Sequence, residues 1–183
     1  MRITIDPATV RENFSRHAKN PSLSESAQLF AAGKPVVEMI QALAMNPGVF
    51  RAFSGFADVY PCGTLERPIA EKVILRVSQL HECQFCVSSH LAMMHQLGIS
   101  ADVSAATGHS PRERLAIEFA ELVTHDANRI PDEFFSRLRE AFTDPEIVEL
   151  TFLIGLITLL NRFNNALGIR HGDEYNEVKV RTF

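Results

Sequence analysis

The segment His81-Glu82-Cys83-Gln84-Phe85-Cys86-Val87-Ser88-Ser89-His90, which continues as LAMMHQL to Gly98, decides the reading of this chain. From Cys83 to Leu97 its apolar residues recur at helical spacing, and Gly98 can close the helix in the left-handed conformation without a Cβ clash. At about 100° per residue, Cys83, Cys86 and His90 fall within roughly a 60° arc of one face, and Met94 and Leu97 extend that stripe. Two thiols and an imidazole therefore share one patch. A helix that begins near Cys83 puts the pair in its first turn, where unpaired backbone N–H groups and the helix dipole favour a thiolate.

Outward from this segment the pattern stays helical. Nearly every stretch between turn signals has 3.6-residue apolar spacing and none alternates apolar with polar, so the chain is read as all-α. The expected helices are 23–32, 35–45, 47–58, 66–81, 83–97, 111–127, 131–141 and 145–167. Ser22 with Glu25 and Ser110 with Glu113 fit capping boxes, and Asn46-Pro47, Ser110-Pro111 and Asp144-Pro145 place a cap residue before a proline at the first helical position. Turn residues concentrate only at Tyr60-Pro61-Cys62-Gly63-Thr64, and no Ser/Gly linker divides the chain, so residues 1–183 are expected to form one domain. A shift of 78 positions superposes Glu71 on Glu149, Leu75 on Leu153, Cys83 on Asn161, Phe85 on Phe163 and Cys86 on Asn164. This suggests two degenerate helical repeats of which only the first carries cysteines.

Composition excludes several function classes. With 183 residues, 46% apolar and 22% charged, the chain can bury a sizeable core and is not disordered. A net charge of −4, no long basic run and no Trp leave little to hold a phosphate backbone, so no nucleic-acid partner is expected. The longest mainly apolar run, from Thr151 to Leu160, is half of what a bilayer requires, and no apolar export segment precedes the first charges. No membrane association and a cytoplasmic location are therefore expected. Three cysteines are too few for a secreted disulfide scaffold, and a close pair in a reducing compartment more often does chemistry.

Glu71 lies twelve residues before Cys83, about 18 Å along an unbroken helix, so the two can cooperate only if a turn intervenes. Glu71, eleven residues, then Cys83-x-x-Cys86-x-x-x-His90 resembles the signature of the alkylhydroperoxidase D-like branch of the carboxymuconolactone decarboxylase superfamily. The resemblance runs from about Leu65 to Ile99 and more loosely through SPRERLAIEFAELV and NRFNNALG. It implies an all-helical fold in homo-oligomers, commonly trimers or hexamers, with some members containing two copies of the fold. It further implies a thiol peroxidase that needs no bound cofactor: Cys86 attacks the hydroperoxide, Cys83 resolves the sulfenic acid as a Cys83–Cys86 disulfide, and His90 and Glu71 relay protons. The expected partners are a hydroperoxide substrate and an external dithiol reductant, either a thiol electron-donor protein or a lipoyl-type dithiol. One position departs from the family pattern, since peroxidase members place a second histidine where this chain has Phe85.

Other readings compete with this one. Two cysteines on an amphipathic face can be small buried hydrophobes, and C-x-x-C with a histidine could begin a zinc site if Cys62 or a scattered histidine completed it. Glu71 could simply pair with Arg67 or Lys72 at the surface. A decarboxylase or lactone-processing enzyme on the same fold would need an acid or base but no dithiol, and a noncatalytic redox-responsive helical oligomer would use the disulfide to change its packing. The stretch Val49-Phe50-Arg51-Ala52-Phe53-Ser54-Gly55-Phe56 reads as core or subunit interface. The polar cluster Asn161, Arg162, Asn164 and Asn165 reads either as a helix entering solvent or as a buried polar network. His17, His81, His95, His109, His125 and His171 receive no role.

Overall fold

Prolines and short polar side chains set most of the helix starts. The structure, a computed structural model, describes residues 1–17, 21–57, 63–103 and 108–170, without the side chains at positions 21, 22, 24, 25 and 57. Among these residues no strand occurs, and the order is α1 (Pro7–Arg16), α2 (Pro21–Ala31), α3 (Glu38–Ala44), α4 (Pro47–Ala57), α5 (Arg67–Leu80), α6 (Gln84–Leu97), α7 (Pro111–Asp126), a 3₁₀ turn (Ala127–Arg129), α8 (Asp132–Ala141) and α9 (Asp144–Leu167). The chain is all-α, as expected. Ser110 and Glu113 form the capping box at α7: the Ser110 hydroxyl accepts from Glu113 N–H at 3.2 Å and the Glu113 carboxylate from Ser110 N–H at 2.7 Å. Asn46 Oδ1 caps α4 by accepting from the amides of Gly48 and Val49, and Gly98 and Gly168 carry the expected positive φ at the ends of α6 and α9. The side chains of Ser22 and Glu25, and all of Cys62 and His171, lie outside the described residues.

Two expectations are corrected. Helix α1 is absent from the sequence reading, although Asp6-Pro7 repeats the cap-then-proline pattern used elsewhere. The Asp6 carboxylate accepts from the amides of Ala8 and Thr9, and Val10, Asn13 and Phe14 form the buried stripe. The helix expected from residue 35 begins only at Glu38. Lys34 precedes a proline, and Val36 and Val37 are β-branched, so the backbone stays extended there while Val36 is buried.

The described residues divide into two compact units, one drawn from residues 1–57 and 164–170, the other from residues 63–163. In the first, Phe14 meets Phe30 edge-on at 5.3 Å and Phe50 at 5.5 Å, which makes the fully buried Phe50 of the expected aromatic stretch a core residue. In the second, α5 packs against α6 and α7 and is buried along almost its whole length. Its Ile69, Val73, Ile74, Leu75 and Val77 are at most 4% exposed, and each contributes roughly 1.5–3 kcal/mol by leaving water. Leu75 joins Met94 of α6, Ile117 of α7 and Val103 in one cluster. At Gly63 a Cβ would overlap the Glu149 carboxylate, which accepts from Thr64 N–H, the Thr64 hydroxyl and Leu65 N–H. The segments related by the 78-residue shift differ locally, since the first breaks between α5 and α6 whereas α9 runs unbroken past Asn161 and Phe163. Among the described residues no helix is long and apolar enough to cross a membrane.

Candidate functional site

The turn that the Glu71-to-Cys83 separation demands is present at His81-Glu82-Cys83, and it is made without glycine or proline. Glu82 takes φ +53°, in the left-handed region, at a cost of roughly 1–2 kcal/mol for a residue with a Cβ. Backbone hydrogen bonds hold it there: Glu82 N–H donates to Gln79 O and Cys83 N–H to Ser78 O, both at 3.0 Å. Cys83 is the N-cap of α6 with an extended backbone, and its sulfur accepts from Cys86 N–H at 3.3 Å. Cys86 is therefore the third helical residue and sits within the first turn, where the helix dipole acts on it. The two cysteines are joined as a disulfide with Cα atoms 5.3 Å apart. Cys83 is fully buried, whereas Cys86 is 7% exposed.

Because the chain reverses at this turn, α5 returns Glu71 to the middle of α6. Glu71 has no exposure. Its Oε2 lies 2.7 Å from His90 Nδ1 on α6, and its Oε1 accepts from Arg67 Nε, one turn earlier on α5, at 2.6 Å. Arg67 Nη2 in turn reaches Met93 Sδ of α6 at 3.0 Å. The Glu71 carboxyl therefore bridges Arg67 on its own helix and His90 on α6. Glu71 thus pairs with Arg67, as the surface reading had it, but does so in the interior and with His90 on its other oxygen. His90 lies one helical turn after Cys86 on the same face of α6.

Other polar side chains are also buried or half-buried. Lys72, the residue after Glu71, is 4% exposed and points Nζ at Glu113 Oε1 (2.6 Å) and His109 Nδ1 (3.1 Å). Burial pushes the Glu113 carboxyl up, but hydrogen bonds from Lys72 and Ser110 outweigh it and hold the group below the ordinary carboxylate range. Asn161 is fully buried with Oδ1 accepting from the Ser78 hydroxyl at 3.2 Å, and Asn164 is fully buried too, while Arg162 and Asn165 are exposed. Those two asparagines are thus buried, while the other two members of the polar cluster face solvent. His81 places Nε2 3.3 Å from the Thr158 hydroxyl, and burial, then the Arg162 charge, lowers its proton affinity.

The structure thus joins Glu71 to His90 and Cys83 to Cys86, on the facing helices α5 and α6. The sequence reading gave Arg67 and Lys72 no part beyond a surface pair with Glu71, and gave His109 none. The i, i+4 spacing of Arg67 and Glu71 is a signal for the first; nothing in the spacing of His109 points to Lys72. Among the described residues no three His, Cys, Asp or Glu side chains converge to hold a metal ion.

The chain resembles known proteins in sequence and in fold. Residues 47–122 match the Carboxymuconolactone decarboxylase family. Over 115 residues the chain is 30% identical to the uncharacterized protein YdfG of Bacillus subtilis (strain 168), covering 58% of this chain and 78% of that protein. A solved structure of an alkylhydroperoxidase AhpD core, an uncharacterized peroxidase-related protein from Ralstonia eutropha JMP134, superposes with a TM-score of 0.75 at 25% identity and covers 96% of this chain and 94% of its own. The debrominase Bmp8 shares the fold, with a TM-score of 0.66 at 17% identity over 92% of this chain and 87% of its own.

Proposed function

Since the chain belongs to the carboxymuconolactone decarboxylase family, in its alkylhydroperoxidase D-like branch, we propose that it is a thiol-dependent peroxidase in which Cys86 and Cys83 cycle between dithiol and disulfide. The observation that carries this reading is the buried Glu71–His90 pair, set on the same helix face as Cys86. A peroxidase needs a thiolate, a base to take the thiol proton and an acid to return a proton to the leaving oxygen, and His90 next to Glu71 serves for both transfers.

The cycle balances as follows. His90 Nε2 takes the Cys86 proton; the thiolate attacks the O–O bond of a hydroperoxide, forming Cys86 sulfenic acid and expelling alkoxide, or hydroxide from hydrogen peroxide, which the imidazolium protonates. The Cys83 thiol attacks the sulfenic sulfur, which gives the disulfide and water. An external dithiol, from a donor protein or a lipoyl-type group, then reduces the disulfide by exchange. The 7% exposure of Cys86 against none for Cys83 supports Cys86 as the attacking thiol, because a resolving thiol need only reach its neighbour. Its place in the first turn of α6 also favours its thiolate. Phe85 stands where related peroxidases have a second histidine, so this relay runs through His90 alone. On this reading the chain works as a homo-oligomer, a trimer or hexamer.

Steady-state consumption of hydrogen peroxide and an alkyl hydroperoxide with a dithiol donor tests the proposal, with a sulfenic-acid trap and a brominated aromatic compound as parallel arms. Cys86→Ser abolishes the first turnover, and Cys83→Ser performs one turnover and then accumulates trapped sulfenic acid on Cys86. A trapped adduct on Cys83 in Cys86→Ser, formed at the wild-type rate, reverses the two roles. Debromination without peroxide consumption moves the chain to another reaction class.

A further inference from the structure

The Glu71 carboxylate raises a question that its pairing with His90 leaves open: what keeps a group with no solvent exposure in its charged form? A buried carboxyl facing an imidazole has two ways to shed its charge. It can keep its proton and donate it to Nδ1, or it can draw a second proton onto the ring so that carboxylate faces imidazolium. In both arrangements Nε2 bears a hydrogen, and the ring is no base at that atom.

Arg67 changes this balance. Its guanidinium does not deprotonate, and its Nε donates to Glu71 Oε1 at 2.6 Å while Nη2 reaches across to Met93 on α6. The side chain is 23% exposed against none for Glu71, so the cation keeps part of its hydration while it compensates the buried anion. Several other charged groups on α5 and the helices packed against it have partners of their own or face solvent. Lys72 points to Glu113 and His109, Arg76 pairs with Glu121 of α7 at 2.6 Å, Arg112 of α7 pairs with Glu66 and Glu146, and His95 of α6 is exposed.

We propose that Arg67 is a positioning residue: its guanidinium holds Glu71 ionised, which fixes the proton of His90 on Nδ1 and leaves Nε2 unprotonated as the base beside the cysteine pair. This inference rests on the peroxidase reading only for the use made of that base, and the tautomer it assigns is measurable with no peroxide present.

The experiment is ¹⁵N NMR of the reduced full-length protein labelled at histidine, with His90 assigned by His90→Gln and followed across pH in wild type, Arg67→Gln and Arg67→Lys. In wild type and Arg67→Lys, Nε2 carries the lone pair at neutral pH. In Arg67→Gln, which keeps an N–H donor and most of the side-chain volume, Nε2 gains a proton, and the pH at which it does so moves up by about one to three units. Peroxide reduction by Arg67→Gln loses its rate over the same interval and regains it as pH rises. An unchanged Nε2 in Arg67→Gln overturns the proposal, as does a protonated Nε2 in wild type at neutral pH or an Arg67→Lys that behaves like Arg67→Gln. A wild-type protein that reduces no peroxide yet shows the expected Nε2 shift sinks the peroxidase reading and leaves the assignment of Arg67 standing.

Discussion

Glu146 offers the clearest energetic test of how this fold is held. Its Oε2 accepts from the Thr143 amide at 2.7 Å and the Thr143 hydroxyl at 2.8 Å, and its Oε1 accepts from Arg112 Nη2 at 2.7 Å. The Thr143 amide first, then the Arg112 guanidinium and the Thr143 hydroxyl, bring its carboxyl down from 4.5 to about 2. Because the folded value is depressed, the linked stabilisation is fully present above about pH 4.5 and is lost as pH falls through about 2. A depression of that size corresponds to about 3 kcal/mol; solvent reaching Arg112, whose side chain is 30% exposed, trims it to about 2 kcal/mol. Glu146→Gln keeps the shape and an oxygen for the Thr143 amide but removes the charge. The variant is expected to be about 2 kcal/mol less stable at pH 7, with the gap closing between pH 4.5 and about 2 as the wild-type carboxylate is protonated. Urea unfolding followed by far-ultraviolet circular dichroism at a series of pH values measures both curves. A gap that stays constant from pH 7 down to 3 would refute the reasoning, since the loss would then come from packing and not from charge.

Glu82→Gly relieves the left-handed strain at the α5–α6 turn and is expected to stabilise the protein by up to about 1 kcal/mol, the gain limited by the freer unfolded chain; a fall in the thermal midpoint contradicts this. Lys72→Met fills the same space but strips Glu113 and His109 of their shared partner, and a loss of about 3 kcal/mol is expected. A loss under about 1 kcal/mol by urea unfolding would mean that the cluster is rehydrated at little cost. Gly63→Ala drives a methyl group into the Glu149 carboxylate and is expected to cost about 1–2 kcal/mol. That cost should shrink sharply in a Glu149→Ala background, and an equal cost in both backgrounds excludes the clash as its cause.

What the sequence made legible is what local chemistry encodes. The capping box at Ser110 and Glu113 and the glycines that close α6 and α9 follow from local spacing and are present, and Cys86 and His90 lie one turn apart on α6 with Cys83 as its N-cap. The α5–α6 turn was inferable only from reach, because Glu82 takes a left-handed conformation with no glycine to announce it. Distant pairings were not legible: Lys72 meets His109 across 37 positions and Ser78 meets Asn161 across 83. Neither distance is a helical period, so no pattern marks them. The burial of Asn161 and Asn164 shows the same limit from the other side, since a polar run near a helix end reads equally as entering solvent or as buried until its tertiary surroundings are known.

Helix α5 explains why the site can hold a buried charge at a defined position. Glu71 and Lys72 are adjacent, so their side chains leave the helix about 100° apart, one toward α6 and the other toward α7. Since α5 is covered on nearly every side, each of its charges must find its counter-charge within the fold, and each does so on a different element or on the helix itself: Glu71 with Arg67 and His90, Lys72 with Glu113, Arg76 with Glu121. These pairs fix the rotation of α5 about its own axis. A turn of the helix that eased Lys72 away from Glu113 would also swing the Glu71 carboxylate off His90 Nδ1. The ion pairs toward α7 and the Glu71–His90 pair are thus set by one and the same helix rotation.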